Sequence, residues 1–244
     1  MNYTIALVVA MKAEALAIAN RLSLDSLSDE LIPYHFQRYE SSRSNVPVSL
    51  FTNGIHPKYK VEQVGTQPAA ILADFVLRTF KPNILINAGT AGAFASDGAH
   101  IGDVYLGYPE IVFHDRRIPL PTFEDYGVGH FPAPTLCALA TLTESKTGVV
   151  STGNSLDHTQ VDLLVMRKNR GLIKDMEAAS HAFVAQMHGI PFVAVKAITD
   201  LIDRSAPTED QFIANLELAS QRLAEKVFRI VNTLLHHPNA RPMS

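Results

Sequence analysis

Short apolar runs bounded by turn residues punctuate this chain and mark its strands. Ile5 to Ala10, Val48 to Thr52, Asn83 to Ala88, Val104 to Phe113, Thr147 to Ser151, Gly171 to Lys174 and Phe192 to Ala197 are the candidates. Val48 to Thr52 is expected to pair with the segment around Tyr34 to Tyr39. Val104 to Phe113 alternates, whereas Asn83 to Ala88 and Phe192 to Ala197 read as near-continuous apolar runs, as strands buried on both faces do. Between the strands, apolar residues recur at three- and four-residue spacing over Ala13 to Leu22, Val61 to Phe80, Thr159 to Asn169, Met176 to His188 and Glu209 to Leu235. The second of these stops just before Pro82, and Pro207-Thr208-Glu209 makes a good start for the last. Strands alternating with helices imply an α/β sandwich with a mainly parallel central sheet. No repeat, low-complexity tract or Pro/Gly/Ser-rich linker divides the chain, so one domain over residues 1–244 is expected.

Composition narrows the partners. The chain has 244 residues, 47% of them hydrophobic, which suits a sizeable core. A net charge of −3 supplies no basic field for nucleic acid or acidic lipid. The single cysteine, Cys137, allows neither an intrachain disulfide nor a Cys-based metal cage and suits a reducing compartment. The apolar stretch Thr4 to Met11 has no basic segment before it and meets Lys12 and Glu14 at once, unlike a signal peptide. No apolar run approaches the ~20 residues that span a bilayer. A cytoplasmic, soluble protein is expected.

In open α/β sheets, ligands bind beyond the carboxyl ends of the strands. Five such ends carry polar or small residues: Met11-Lys12-Ala13-Glu14, Gly89-Thr90-Ala91-Gly92, Thr152-Gly153-Asn154-Ser155, Asp175-Met176-Glu177 and Ile198-Thr199-Asp200. Each has a bland reading. Glu14 and Glu177 fit the first turn of a helix, where the dipole favours an acid. Thr199-Asp200 fits a helix cap. Gly89 to Gly92 fits a tight turn, and His114-Asp115 fits a hydrogen-bonded surface pair. Five coincidences on one rim favour a common site with Glu14, Glu177 and Asp200 as its carboxylates. The chain has no G-x-x-x-x-G-K-[ST] loop, G-x-G-x-x-G fingerprint, H-E-x-x-H or G-x-S-x-G elbow. Triphosphates, NAD, zinc and serine-nucleophile chemistry therefore lose support, and no metal or cofactor is expected.

The same residues carry a resemblance. The chain resembles the nucleoside phosphorylase/nucleosidase superfamily and, within it, the plant-type methylthioadenosine nucleosidases, over nearly its whole length. The carriers are Val9 to Glu14, Ile86 to Gly92, Ile101 to Val104, Phe113 to Pro119, Ser151 to Asp157, Lys174 to Ala178 and Lys196 to Asp200. The resemblance implies a nucleoside phosphorylase-like fold, a single-domain three-layer α/β/α sandwich with a mixed, mainly parallel sheet. It also implies hydrolysis of an N-glycosidic bond without a cofactor, by the logic of paired carboxylates with a purine as leaving group. Asp200 would protonate N7 of adenine, Glu14 would activate water, and Glu177 would hold the ribose hydroxyls. Met11 and Met176 would pack on the sugar. Thr90 and Lys196 would support the water and the carboxylates. Leu156 would cover the purine, with backbone groups of Leu156 and Asp157 reading its edge. Ala91, Gly92, Asp175 and Thr199 complete the expected substrate contacts. The resemblance further implies a homodimer, with Ile118, Pro121 and Phe123 of one subunit closing the 5′-alkylthio end of the other's pocket.

Two positions depart from the relatives: Asn154 stands where Asp is usual, and Ala93 where Gly is usual. Rival readings are a hydrolase for S-adenosylhomocysteine or an aminofutalosine-type nucleoside, a phosphorylase, and a non-catalytic nucleoside-binding or storage relative. A phosphorylase would place arginines where this chain has Met11 to Glu14 and Asn87, and Glu14 would repel phosphate.

Overall fold

Strand β1 (Ile5–Val9) is buried along its whole length. Its odd members Ile5, Leu7 and Val9 belong to one core cluster, and its even members Ala6 and Val8 to another. The division follows from the pleat, which sends successive side chains to opposite faces. The same split runs through β5 (Ile84–Ala93), where Ile84, Ile86 and Ala88 face one core and Leu85, Ala91 and Ala93 the other. Strand β10 (Phe192–Leu201) repeats it with Val193, Val195 and Ala197 against Phe192, Ala194 and Ile198. Helices α1 (Lys12–Leu22) and α7 (Thr208–His236) close the first core with Ala15, Ile18, Leu223, Val227 and Ile230. Helices α2 (Thr66–Phe80) and α6 (Ala178–His188) close the second with Leu72, Val76, Ala178, Ala182 and Ala185. Three layers result, as expected.

The computed structural model describes residues 3–27, 32–41, 47–133 and 137–242. Within them, β2 (Asp25–Leu27), β3 (Gln37–Glu40) and β4 (Val48–Thr52) extend the sheet beyond β1, with β3 antiparallel to β4 as the sequence suggested. Strands β4, β1 and β5 run parallel. Beyond β5 the sheet closes on itself. Strand β10 lies parallel to β5 from Leu85 to Ala93 and antiparallel to β6 (Val104–Phe113). Strand β6 is parallel to β8 (Lys146–Thr152), and β8 to β9 (Gly171–Asp175). Strand β9 returns to β5 through Gly92↔Lys174 and Ala93↔Ile173. The long β5 thus serves β1 with its first half and β9 with its second. The ring needs curvature, and register breaks at Gly107/Ile111, Val149/Val150 and Ile198/Asp200 supply it.

Four boundaries differ from the sequence pattern for physical reasons. Gly89 to Gly92 and Thr199-Asp200 lie inside β5 and β10, not beyond them, because the two strands continue pairing as far as Ala93 and Leu201. The tight-turn and helix-cap readings of these segments therefore fail. Helix α2 begins at Thr66, not Val61, because Gly65 takes φ +98°, outside the helical region. Helix α6 begins at Ala178, after Met176 and Glu177, because the Asp175 carboxylate accepts hydrogen bonds from the Glu177 and Ala178 N–H groups and starts the helix there. Short elements that the pattern did not show are α3 (Phe123–Val128), β7 (Phe131–Pro132) and α4 (Cys137–Thr143), while α5 (Gln160–Lys168) follows its expected range with Thr159 as its cap.

Candidate active site

Glu14 occupies the first turn of α1, where a strand-to-helix junction places an acid near the helix N-terminus. It is 2% exposed. One carboxylate oxygen accepts from the Thr90 N–H and the Thr90 hydroxyl, both at 2.7 Å, and the other accepts from the Met11 N–H at 3.2 Å. Those bonds tie α1 to the second half of β5. Burial raises the Glu14 pKa, and the Thr90 bonds and Lys196 only partly offset it. A carboxylate of raised basicity, held by three donors, is suited to take a proton from water.

Beneath it lies a buried lysine. Lys196 of β10 is 1% exposed, and its Nζ stands 2.7 Å from Asp175 Oδ2. A methyl group added at Gly89 would meet Lys196 Nζ at 3.4 Å and both Glu14 oxygens within 3.8 Å, so the ammonium paired with Asp175 also lies near Glu14. Asp175 also accepts from the Thr152 hydroxyl and the α6 N-terminus. Burial would push its pKa up, yet Lys196 and these donors outweigh burial and hold it below the ordinary carboxylate value. Glu177 has fewer partners. Its Oε1 accepts from the Gly65 N–H at 2.8 Å, and burial, with the Asp175 charge adding to it against Lys196, pushes its pKa up to about 7. Two carboxyls two residues apart are thereby driven in opposite directions, the environment-splitting that marks functional acids.

Asp200 sits on the bulge of β10, opposite Gly92. The bulge turns its side chain toward the cavity. The Thr199 hydroxyl donates to Asp200 Oδ1 at 2.8 Å and lies 3.2 Å from the Ala91 carbonyl. Gly92 is required by close approach, since a Cβ there would lie 2.4 Å from Asp200 Oδ2 and 2.6 Å from an Ile202 methyl. Burial raises the Asp200 pKa against the pull of Thr199 and Lys174. That direction favours the protonated form a general acid needs. Lys174, itself pushed down by burial, donates from Nζ to the Ser155 and Leu156 carbonyls and so anchors the segment after β8.

A cavity of about 240 Å³ opens on these groups. Its walls include Met11, Glu14, Thr90, Ala91, Gly92, Leu156, Asp175, Met176, Glu177, Thr199 and Asp200, all singled out in the sequence. Lys196 lies behind the wall, and the exposed Asp157 stands outside it. The half-buried Ile118 and the exposed Pro121 and Phe123 do not line the cavity. Ala10, Val64, Lys174 and Phe212 also line it and were not picked out. Val64 and Phe212 come from a loop and a helix face with no chemical signature, whereas Lys174 belongs to the Lys174 to Ala178 stretch that carries the resemblance. His114 does not pair with Asp115. It is buried, with Nδ1 at 3.1 Å from the Ser151 hydroxyl.

Carboxyls with raised pKa, a strand bulge and a ring of apolar wall residues define a nucleoside-sized site built for acid–base work. Residues 4–235 match the model of the phosphorylase superfamily. The chain belongs to that superfamily. It is 37% identical over 234 residues to a 5′-methylthioadenosine nucleosidase of Arabidopsis thaliana, an alignment covering 94% of this chain and 86% of that one. A second Arabidopsis thaliana protein, a 5′-methylthioadenosine/S-adenosylhomocysteine nucleosidase, is 35% identical over 94% of this chain and 91% of its own. The apo structure of Arabidopsis thaliana 5′-methylthioadenosine nucleosidase superimposes with a TM-score of 0.93 at 35% identity, covering 98% of both chains. The nucleoside phosphorylase-like fold expected from the sequence is therefore established.

Proposed function

We propose that this protein hydrolyses the N-glycosidic bond of 5′-methylthioadenosine to adenine and 5-methylthioribose. The observation that carries the reading is the opposition of Glu14, tied to Thr90 and raised in basicity, to Asp200, buried and biased toward its protonated form. Water attacks C1′ while Glu14 takes its proton. The C1′–N9 bond breaks, its electrons enter the purine, and Asp200 delivers a proton to N7. Glu177, beside the ribose, places negative charge near the developing cation. Two similar proteins named as nucleosidases for this substrate support the choice. Water is favoured over phosphate because the described cavity wall holds no arginine, and Lys174 is engaged by two carbonyls.

The reading includes a homodimer closed through residues 118–123, supported by the exposure of Leu120 and Phe123 within that segment and of Tyr126 just after it. It also places a single nucleosidase domain in the cytoplasm, within methionine salvage, for which a lone cysteine is suitable. Sizing the purified protein against monomer and dimer masses tests the assembly.

The direct experiment incubates the protein with 5′-methylthioadenosine or S-adenosylhomocysteine, with and without phosphate, and measures adenine. Adenine from the first compound independent of phosphate is expected. No adenine from either compound overturns the hydrolase, and dependence on phosphate makes it a phosphorylase. Release from S-adenosylhomocysteine as well makes it dual-specific, as the name of the second relative describes that protein. Asp200→Asn should lower kcat by about 10²–10⁴-fold.

A further inference from the structure

Asn154 departs from the acid expected at its position, and its surroundings give the departure a role. Its Oδ1 accepts from the Thr66 N–H at 3.0 Å and from the Thr66 hydroxyl at 2.9 Å. Its Nδ2 and its backbone N–H both donate to Asp115 Oδ2 at 2.9 Å. Helix α2 has no side-chain cap of its own, since its N-cap is Gly65. Asn154 therefore caps α2 from across the site. The capped turn is the one whose preceding N–H, that of Gly65, donates to Glu177 Oε1. A Cβ at Gly65 would stand 3.0 Å from Asn154 Oδ1, so the amide packs directly on that residue. Only an amide serves here, because one end must accept from Thr66 while the other donates to Asp115. An aspartate at 154 would set a second negative charge against Asp115 Oδ2 and lose the Nδ2 donor.

We propose that Asn154 is a positioning residue that, clasped between Asp115 and the first turn of α2, holds the Gly65 N–H on the ribose-binding carboxylate Glu177. The consequence for catalysis rests on the nucleosidase reading, whereas the clasp itself does not. Asp115 follows β6 and leads into residues 118–123, so the clasp also joins that surface segment to the sugar end of the site.

The test is a swap of the two partners. In Asn154→Asp the repulsion releases the turn. In the double variant Asn154→Asp with Asp115→Asn, the carboxylate accepts from Thr66 and the new amide at 115 donates back, removing the like-charge contact while the residue-154 backbone N–H gives up its acceptor. Three readouts separate positioning from mere stability. The single variant should raise KM for 5′-methylthioadenosine about tenfold, the weight of one lost hydrogen bond to a charged group, with a smaller change in kcat. Its pH–rate profile should shift the limb belonging to Glu177 upward, since losing the Gly65 donor makes that carboxyl harder to ionise. Amide exchange at Gly65 and Thr66 should accelerate. The double variant should recover part of each. Wild-type KM, pH profile and amide exchange in Asn154→Asp overturn the proposal, as does a double variant no better than the single one. If the wild-type protein releases no adenine, the nucleosidase reading fails, and amide exchange in the single and double variants still decides the clasp.

Discussion

Glu177 is a buried acid whose removal should make the protein more stable and less active. In the fold its carboxyl titrates at about 7, chiefly because burial disfavours the charge. In an unfolded chain a glutamate titrates near 4.3. Between those values the folded protein keeps a proton that the unfolded chain has released, so stability falls as pH rises through the window. At pH 8 the full cost is roughly 3–4 kcal/mol, from about 1.4 kcal/mol per pH unit. Glu177→Gln removes that cost and keeps an oxygen to accept from Gly65. Burying the new amide donors costs about 1–2 kcal/mol. The net gain at pH 8 is about 2 kcal/mol, or about 4–8 °C in Tm for a chain of this size. At pH 4.5 the wild-type carboxyl is protonated in the fold, so the gain vanishes and the amide cost remains. Thermal unfolding of both proteins at pH 4.5 and 8 measures this, and adenine release from the same samples should fall at least ~10²-fold. A glutamine variant less stable than wild type at pH 8, or a Tm difference equal at the two pH values, would refute the reasoning.

Other perturbations follow from the same site. Lys196→Met strips the lysine that pairs with Asp175 and should cost about 3–5 kcal/mol in urea unfolding at pH 8; the loss should shrink at pH 5 as Asp175, no longer held low, takes up a proton. His181 is buried with neither ring nitrogen partnered, and burial depresses its pKa to about 3. Its unfolded form gains a proton below about 6.5, so its contribution is intact above that pH and is lost by about 1.4 kcal/mol per unit as pH falls toward 3. His181→Leu should flatten the acid side of a stability–pH curve, and an unchanged slope between pH 6 and 4 would exclude this account. Gly92→Ala drives a methyl into Asp200 and Ile202; steady-state kinetics should show kcat down by roughly 10²-fold, the expected effect of an ångström-scale displacement of a reacting group.

The positions of Glu14, Asp175 and Glu177 were legible because each follows an apolar strand at a helix start, and that arrangement is local. So was the two-faced burial of β5 and β10, since a strand buried on both sides reads as a near-continuous apolar run. The extension of β5 through Gly89 to Gly92 was not legible. Small residues there resemble a turn, and only pairing with β10 makes them strand. The closing of the sheet into a ring depends on the meeting of β5 and β9, which are far apart in the chain. The role of Lys174 is not legible in the sequence because its contacts, the Ser155 and Leu156 carbonyls, are set by the loop after a neighbouring strand. By itself, the sequence determined which residue types stand at strand ends, and hence which acids are available. The tertiary structure decided which acid bears a proton. The opposite pulls on Asp175 and Glu177 arise from burial and from one lysine reaching in from β10, and desolvation and charge proximity exist only once the chain has folded.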